Sequence, residues 1–266
     1  MNRRLLLAAA AAATLALSGC GRSAATDPNT LTVAATAVPH AEILDFIKPT
    51  LAREGVKLDV RVFNDYVQPN VQVAEGRIAV NYFETAPYLA EFNKAQGTKL
   101  VTLAGVHVEP FGGYSRRWKT LAALPDRATV AIPNEPSNSG RALQLLAKAK
   151  LITLLDPTST TATPKDIVTN PKNLQFRELE AATLPRVLDQ VDLALINTNY
   201  ALDAGLNPTR DALVIEDKSS PYVNFVVGLD SARKDPKVVK LIAALRSPAV
   251  KTFIAQKYHG SVLPAF

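Results

Sequence analysis

The run Ala131–Leu143, AIPNEPSNSGRAL, passes from an apolar strand end through a polar turn into a helix. Asn138 is a residue type that caps helices, which would make Ser139, Gly140 and Arg141 the first helical turn. The N–H groups of such a turn lack intrahelical partners, the macrodipole places partial positive charge there, and a glycine lets an anion approach the backbone. Arg141 adds a permanently charged fork shaped for a carboxylate. The segment reads as a seat for a small carboxylate ligand. The same residues equally suit an arginine that pairs with a neighbouring acid.

Outward from this stretch the chain alternates strands and helices. Upstream, Leu31–Thr36 reads as a strand and Pro39–Glu54 as a helix with Ile43, Phe46, Ile47 and Leu51 at helical spacing before Gly55,. Lys57–Phe63 alternates as a second strand, which completes a right-handed βαβ unit. A helix at Val71–Glu75, a strand at Ile78–Phe83, a helix at Pro87–Gln96 and a strand at Lys99–Val108 follow. Phe111–Tyr114, with two glycines beside aromatics, reads as a crossover. Beyond it come a strand at Thr129–Ile132, helices at Ser139–Leu151 and Pro164–Val168, a strand at Leu174–Leu179, a helix at Leu184–Gln190 and strands at Val191–Ile196 and Leu213–Glu216. Tyr222–Leu229 is the strand on which the chain returns, and Pro236–Arg246 and Pro248–Tyr258 are closing helices with cap-then-proline starts. The pattern predicts two α/β lobes with a cleft between them. One lobe is expected from 31–112 plus 226–266 and the other from 113–225. Ligands of such sheets bind beyond the carboxyl ends of strands. Tyr82–Thr85, His107–Glu109, Asn134–Arg141 and Asn197–Tyr200, with Asn224 at the return crossing, are therefore the places to inspect.

The N-terminus carries Arg3 and Arg4, an apolar run from Leu5 to Leu17, then Ser18, Gly19 and Cys20. That is the layout of a secretory signal, expected over 1–19, and the run is short for a membrane span of about 20 apolar residues. Cys20 is the only cysteine, so it has no internal disulfide partner,. The small polar segment up to residue 30 reads as a flexible tether. Without Arg3 and Arg4 the net charge falls from +6 to +4. So modest an excess, with no basic run interleaved with aromatics, does not suggest a nucleic-acid protein.

A catalytic reading needs a nucleophile, a base and an orienting group. The chain has three histidines, no GxSxG elbow, and no HExxH or paired Cys–His spacing for a metal,. His40 and His259 are expected at the surface. His107, in the apolar VHVEP, is expected to be buried, with Glu109 either its partner or a strand-end acid. No catalytic set, metal or cofactor is expected.

The residues around Cys20 resemble the lipobox of bacterial lipoproteins, in which that cysteine is lipidated. AVNYFETAPYLAEFN (79–93), GVHVEPFGGYS (105–115), AIPNEPSNSGRAL, TPKDIVTNPKNL (163–174), VDLALINTNYALDAGLNP (191–208) and SPYVNFVV (220–227) together resemble the NlpA family, the methionine-binding lipoproteins of ABC importers. The likeness runs over essentially the whole mature chain. It implies a type II, two-lobed periplasmic-binding-protein fold with two crossovers, a monomer held at the cell envelope by a lipid anchor and facing the periplasm. It also implies delivery of methionine to the permease and ATPase subunits of an importer. By motif, Tyr66, Tyr82, Phe83 and His107 would line a side-chain pocket, and Arg141 would hold the α-carboxylate. Asn199 and Asn224 would hold the amino-acid backbone groups, with Asn138 beside them. Aromatic rings suit a polarizable thioether.

The sequence departs from that pattern in places. Glu84 and Thr85 follow NYF where the family usually shows Gln then His, Lys150 replaces a glycine, and Phe111 replaces a smaller apolar residue. A different amino acid, or a non-transport surface or adhesion role on the same fold, is the alternative these changes leave open. A secreted hydrolase is disfavoured by the missing triad.

Overall fold

The computed structural model describes residues 27–217 and 220–266. The expected signal segment, Cys20 and most of the tether lie outside the described residues. β1 (Thr30–Ala35), α1 (Glu42–Arg53) and β2 (Lys57–Val62) form the expected unit, with the two strands parallel from Thr30 opposite Lys57 to Ala35 opposite Val62. An irregular helical turn, Ala37–Ala41, precedes α1 and carries His40. α1 buries Ile43, Ile47 and Leu51 as its spacing predicts, with Leu44 in place of the expected Phe46, which is 41% exposed,. α2 (Gln68–Ala74), β3 (Val80–Thr85), α3 (Ala86–Gln96) and β4 (Val101–Val108) follow.

Past 109–111 the chain enters a second sheet with β5 (Gly112–Tyr114), β6 (Thr129–Pro133), α4 (Pro136–Lys148), the short pair β7 (Thr153–Leu154) and β8 (Ile167–Thr169), β9 (Gln175–Leu179) and β10 (Leu193–Ile196). α5 (Thr198–Asp203), α6 (Pro208–Asp211) and β11 (Val214–Ile215) complete that part. β12 (Val223–Gly228), α7 (Pro236–Leu245), α8 (Pro248–Tyr258) and β13 (Leu263–Pro264) return to the first.

The two large sheets share one plan. The first runs β2-β1-β3-β12-β4-β13 and the second β9-β6-β10-β5-β11. In each, the first strand lies between the second and third, all parallel. The strand that has just crossed from the other sheet then inserts antiparallel before the fourth. An antiparallel insertion starts at the end where its parallel neighbours finish. Asn224, near the start of β12, is therefore paired with Thr85 on one side and His107 on the other.

Val33, Leu44, Leu51, Val106, Leu241 and Ile254 are buried in the core of the first part, and Val130, Ile132, Leu143, Leu146 and Leu193 in that of the second. Each such side chain contributes about 1.5–3 kcal/mol relative to exposure. A third cluster joins the two, bringing Tyr66, Phe83 and Tyr88 together with Ile196, Tyr200 and Ala201.

Several local expectations change. Gly112–Tyr114 is a strand of the second sheet, where a Cβ on Gly113 would stand 2.8 Å from Val214 and 3.1 Å from Leu195. Its glycines serve close packing inside a sheet. Both crossings consequently fall a few residues before the expected boundaries, between β4 and β5 and between β11 and β12. The expected helix at 164–168 is one turn at Pro164–Asp166 with a capping box from Thr163, after which Ile167–Thr169 pairs with β7,. The expected helix at 184–190 is a tighter turn at Ala181–Val187, with Pro185 inside it. Among the described residues no helix is long and apolar enough to cross a membrane.

Candidate functional site

Between the sheets lies a narrow crevice with an interior volume of about 30 Å³. Tyr66, Phe83, Glu84, Thr85, Tyr88, Glu109 and Asn224 line one side. Asn138, Arg141, Asn197, Thr198 and Asn199 line the other. Most of these residues sit at or just past the carboxyl ends of β3, β4, β6 and β10, where an open α/β sheet gathers its ligand-contacting groups.

The start of α4 departs from expectation. Its N-cap is Glu135, extended at φ −73° and ψ 131°, and Pro136 occupies the first helical position. Proline has no N–H to lose there and its fixed φ suits the helix. Asn138 is thus the third residue of the helix, where its Oδ1 accepts an N–H from Asn197 at 3.1 Å. Gly140 faces away from any anion seat, because a Cβ there would stand 2.4 Å from the Thr160 carbonyl oxygen. The glycine lets α4 pack against the 160–161 backbone.

Arg141, 4% exposed, lies in the second turn and reaches the crevice. Its Nε and Nη2 donate to the Glu216 carboxylate at 2.8 and 2.6 Å, and Nη2 also donates to the Glu109 carbonyl at 2.8 Å. The guanidinium lies over the rings of Tyr222 and Phe111, 4.1 and 5.2 Å from their centroids,. Pairing with a neighbouring acid, the second reading of the sequence, is therefore part of its role. Nη1 alone has no hydrogen-bond partner among the described residues.

Tyr82 and His107, expected in the pocket wall, do not line the crevice. Both are fully buried one layer behind it. The Tyr82 hydroxyl is 2.5 Å from His107 Nδ1, and His107 Nε2 is 2.8 Å from Glu109 Oε1. His40, expected at the surface, is 1% exposed. Its Nδ1 meets the Thr36 hydroxyl at 2.7 Å, and its Nε2 lies 3.0 Å from Asn224 Oδ1 and 3.3 Å from Glu109 Oε1. One assignment satisfies every contact. Both Nε2 atoms carry the hydrogen and donate, and both Nδ1 atoms accept from a hydroxyl. Burial lowers His40 to about 4 and His107 to about 3, so both imidazoles are neutral,. Burial raises the Glu109 carboxyl, against the pull of His40, Arg141 and the Asn199 backbone N–H. His40, His107 and Glu109 present three ligand-type atoms within 4.8 Å of one another, and each is engaged in this hydrogen-bonded set.

The network fixes how the amides face the crevice. Asn224 gives its oxygen to His40, which leaves its NH₂ for the crevice. Asn199 Oδ1 accepts the Tyr66 hydroxyl across the crevice at 2.6 Å, which leaves its NH₂ likewise. Asn197 Oδ1 is buried without a partner among the described residues. The Tyr66 ring lies 5.7 Å from Phe83, 5.6 Å from Tyr88 and 4.9 Å from Tyr200, within the range of favourable aromatic pairs. The crevice thus offers donors (Asn199, Asn224), a buried carboxylate (Glu109), a bare amide oxygen (Asn197) and a face of rings. Phe83, Tyr66, Asn138, Asn199, Asn224 and Arg141 are brought together as expected. Glu109, Asn197, Thr198 and Tyr88 join them without having been assigned to the site. Glu109 and Asn197 directly follow strands, which is the signal that marks them.

Residues 31–266 match the family model of the NlpA lipoproteins. The chain is 42% identical over 253 residues to the D-methionine-binding lipoprotein MetQ of Salmonella typhi, covering 94% of this chain and 93% of that protein. The structure is similar to that of a nutrient binding protein from Burkholderia cenocepacia bound to methionine, with a TM-score of 0.86 at 42% identity over 89% of this chain and 100% of the other. It is also similar to an ABC transporter periplasmic substrate-binding protein from Coxiella burnetii, with a TM-score of 0.84 at 41% identity over 88% and 100%. Two like-ordered sheets facing one crevice are thus the two-lobed α/β fold of periplasmic substrate-binding proteins, and by sequence over the same span the chain belongs to the NlpA lipoprotein family.

Proposed function

We propose that this chain is the substrate-binding lipoprotein of an ABC importer and that it binds methionine, a role of recognition and delivery rather than catalysis. The observation that carries the reading is the chemistry gathered in the crevice, where a face of rings meets amide groups, a guanidinium and a carboxylate. A desolvated zwitterion needs a partner for each charged end. The NH₂ groups of Asn199 and Asn224 and Nη1 of Arg141 would take the α-carboxylate. Glu109, with Asn197 Oδ1, would take the α-ammonium. Tyr66, Phe83 and Tyr88 would flank the thioether, each contact contributing about 0.3–1.5 kcal/mol. Tyr82 and His107 would act from behind by holding Glu109. Two relatives support this ligand, one named for D-methionine and one solved with methionine bound.

In the same reading, Cys20 carries the lipid anchor, the protein sits as a monomer at the envelope on the periplasmic side, and the two lobes present the ligand to the permease and ATPase subunits. The purified mature protein is expected to melt at higher temperature with L-methionine, by the equivalent of about 2.7 kcal/mol at a hundredfold excess over Kd. No shift with L-methionine, D-methionine or methionine sulfoxide, and no amino acid among small molecules released on denaturation, would overturn the proposal.

A further inference from the structure

Glu84, on β3, lines the crevice and is 3% exposed. Its Oε2 accepts an N–H from Asn70 at 3.1 Å, and Asn70 Oδ1 accepts an N–H from Asn81 at 2.6 Å. These two contacts fix the orientation of both amides and leave Asn81 Oδ1 an acceptor without a donor. Glu84 Oε1 is likewise buried without a partner among the described residues, and the Asn81 side chain lies against the Glu84 carboxyl. Each such desolvated acceptor loses its hydrogen bond to water. A proton on Oε1 turns that atom into a donor and removes the charge, while Oε2 still accepts from Asn70,.

The surroundings supply no cation to hold an ionised Glu84. α2, β1 and β12 carry no charged residue. On α3, Tyr88 is a phenol whose hydroxyl donates to the Tyr66 carbonyl, Glu91 would repel, and Lys94 is exposed. Asp65, ahead of α2, is occupied by the Val67 and Gln68 N–H groups. Elsewhere in the crevice, Glu109 is of like charge, Tyr66 is bonded to Asn199, and Arg141 is bonded to Glu216 and the Glu109 carbonyl. Burial accordingly raises the Glu84 carboxyl to about 8, against the lowering by the two amides.

We propose that Glu84, buried with one bare oxygen and no cation beside it, works as a neutral carboxylic acid held by the Asn70 amide, and that it is a specificity-determining residue of the crevice. Its uncharged wall suits an amino acid with an uncharged side chain, and ionisation would place an uncompensated negative charge there. The choice of ligand rests on the methionine reading; the protonation of Glu84 does not.

Carboxyl ¹³C NMR of the ligand-free protein, with the Glu84 signal identified by its loss in Glu84→Gln, is expected to show a titration midpoint near pH 8. A midpoint in the ordinary carboxylate range would overturn the proposal. Chemical unfolding of wild type and Glu84→Gln between pH 6.5 and 9 gives a second reading, in a range above the titration of the buried histidines. The folded state keeps this proton up to about pH 8 whereas an exposed glutamate releases it near 4.5. Wild type should therefore lose stability relative to the variant by about tenfold in the unfolding equilibrium per pH unit up to about 8, and no further above it. Parallel profiles would refute the protonated state. Finally, the ratio of the wild-type to variant Kd for L-methionine should be constant below about pH 7 and rise about tenfold per unit above 8, and a flat ratio would reject the role in specificity. Failure of both proteins to bind L-methionine would count against the ligand reading and leave the two ligand-free measurements standing.

Discussion

The two walls of the crevice are built from different chemistry. The wall from the first sheet presents the rings of Tyr66, Phe83 and Tyr88, and its polar groups are bonded backwards into the lobe through His40, His107 and Tyr82. The wall from the second lobe presents Asn138, Asn197, Thr198, Asn199 and Arg141 at the starts of two helices. Its amides are only half satisfied, and Asn197 Oδ1 has no partner among the described residues. The rings that would flank a side chain all stand on the first wall, whereas groups for the charged ends of a ligand come from both, Glu109 and Asn224 from the first and Asn197, Asn199 and Arg141 from the second. The contrast teaches that shape selection belongs to one lobe and charge recognition is shared, so that only a ligand touching both satisfies the site.

The largest effect expected from testing that contrast belongs to Arg141. Its guanidinium is bound to Glu216, whose carboxylate also accepts the Phe111 N–H at 3.0 Å and the Ser220 hydroxyl at 3.0 Å, so one ion pair ties α4 to both crossings. Arg141→Ala strands a largely buried carboxylate and should destabilise the fold by about 3–5 kcal/mol in urea unfolding. Most of that loss should be recovered in the Arg141→Ala, Glu216→Gln double variant. A loss below about 1 kcal/mol would mean that Glu216 is well solvated and that the second wall is not anchored in this way.

Asn199→Ala comes next. It removes an amide donor from the crevice and leaves the buried Tyr66 hydroxyl without its acceptor, so L-methionine affinity measured by calorimetry should fall by about 1–3 kcal/mol. The smallest change is expected from Phe83→Leu, which keeps an apolar wall but removes one ring. It should weaken L-methionine by about 0.3–1.5 kcal/mol and weaken norleucine, which lacks sulfur, by less. If the ring variant costs more than the amide variant, contact with the rings outweighs recognition of the charged ends.

Much of the architecture was legible from periodicity. The alternation of apolar strands with capped helices located nearly every long element, because a parallel sheet covered by helices imposes that rhythm on the chain. Gly112–Tyr114 escaped, since three residues rich in glycine carry no strand pattern and only their register against β10 and β11 makes them a strand. Position after a strand end marked the neighbourhoods of Glu84, Glu109, Asn138 and Asn197, since the end of a strand is where an α/β sheet exposes its polar groups, and the return crossing marked Asn224.

By itself the sequence determined the sheet-and-helix order, the apolar stripes that build two cores, and the set of polar residues that could meet, since these follow from local periodicity and capping. The tertiary structure alone decided which of them face the crevice. His107 and Tyr82 stand behind it, His40 is drawn inward from a helix start, and Arg141 shares its charge with an acid 75 residues away. Such pairings depend on strand register and on the crossing of the chain between lobes, and no local pattern encodes the distance between residues so far apart. The same packing leaves Glu84 buried without a cation, a fact of its surroundings that its own segment does not reveal.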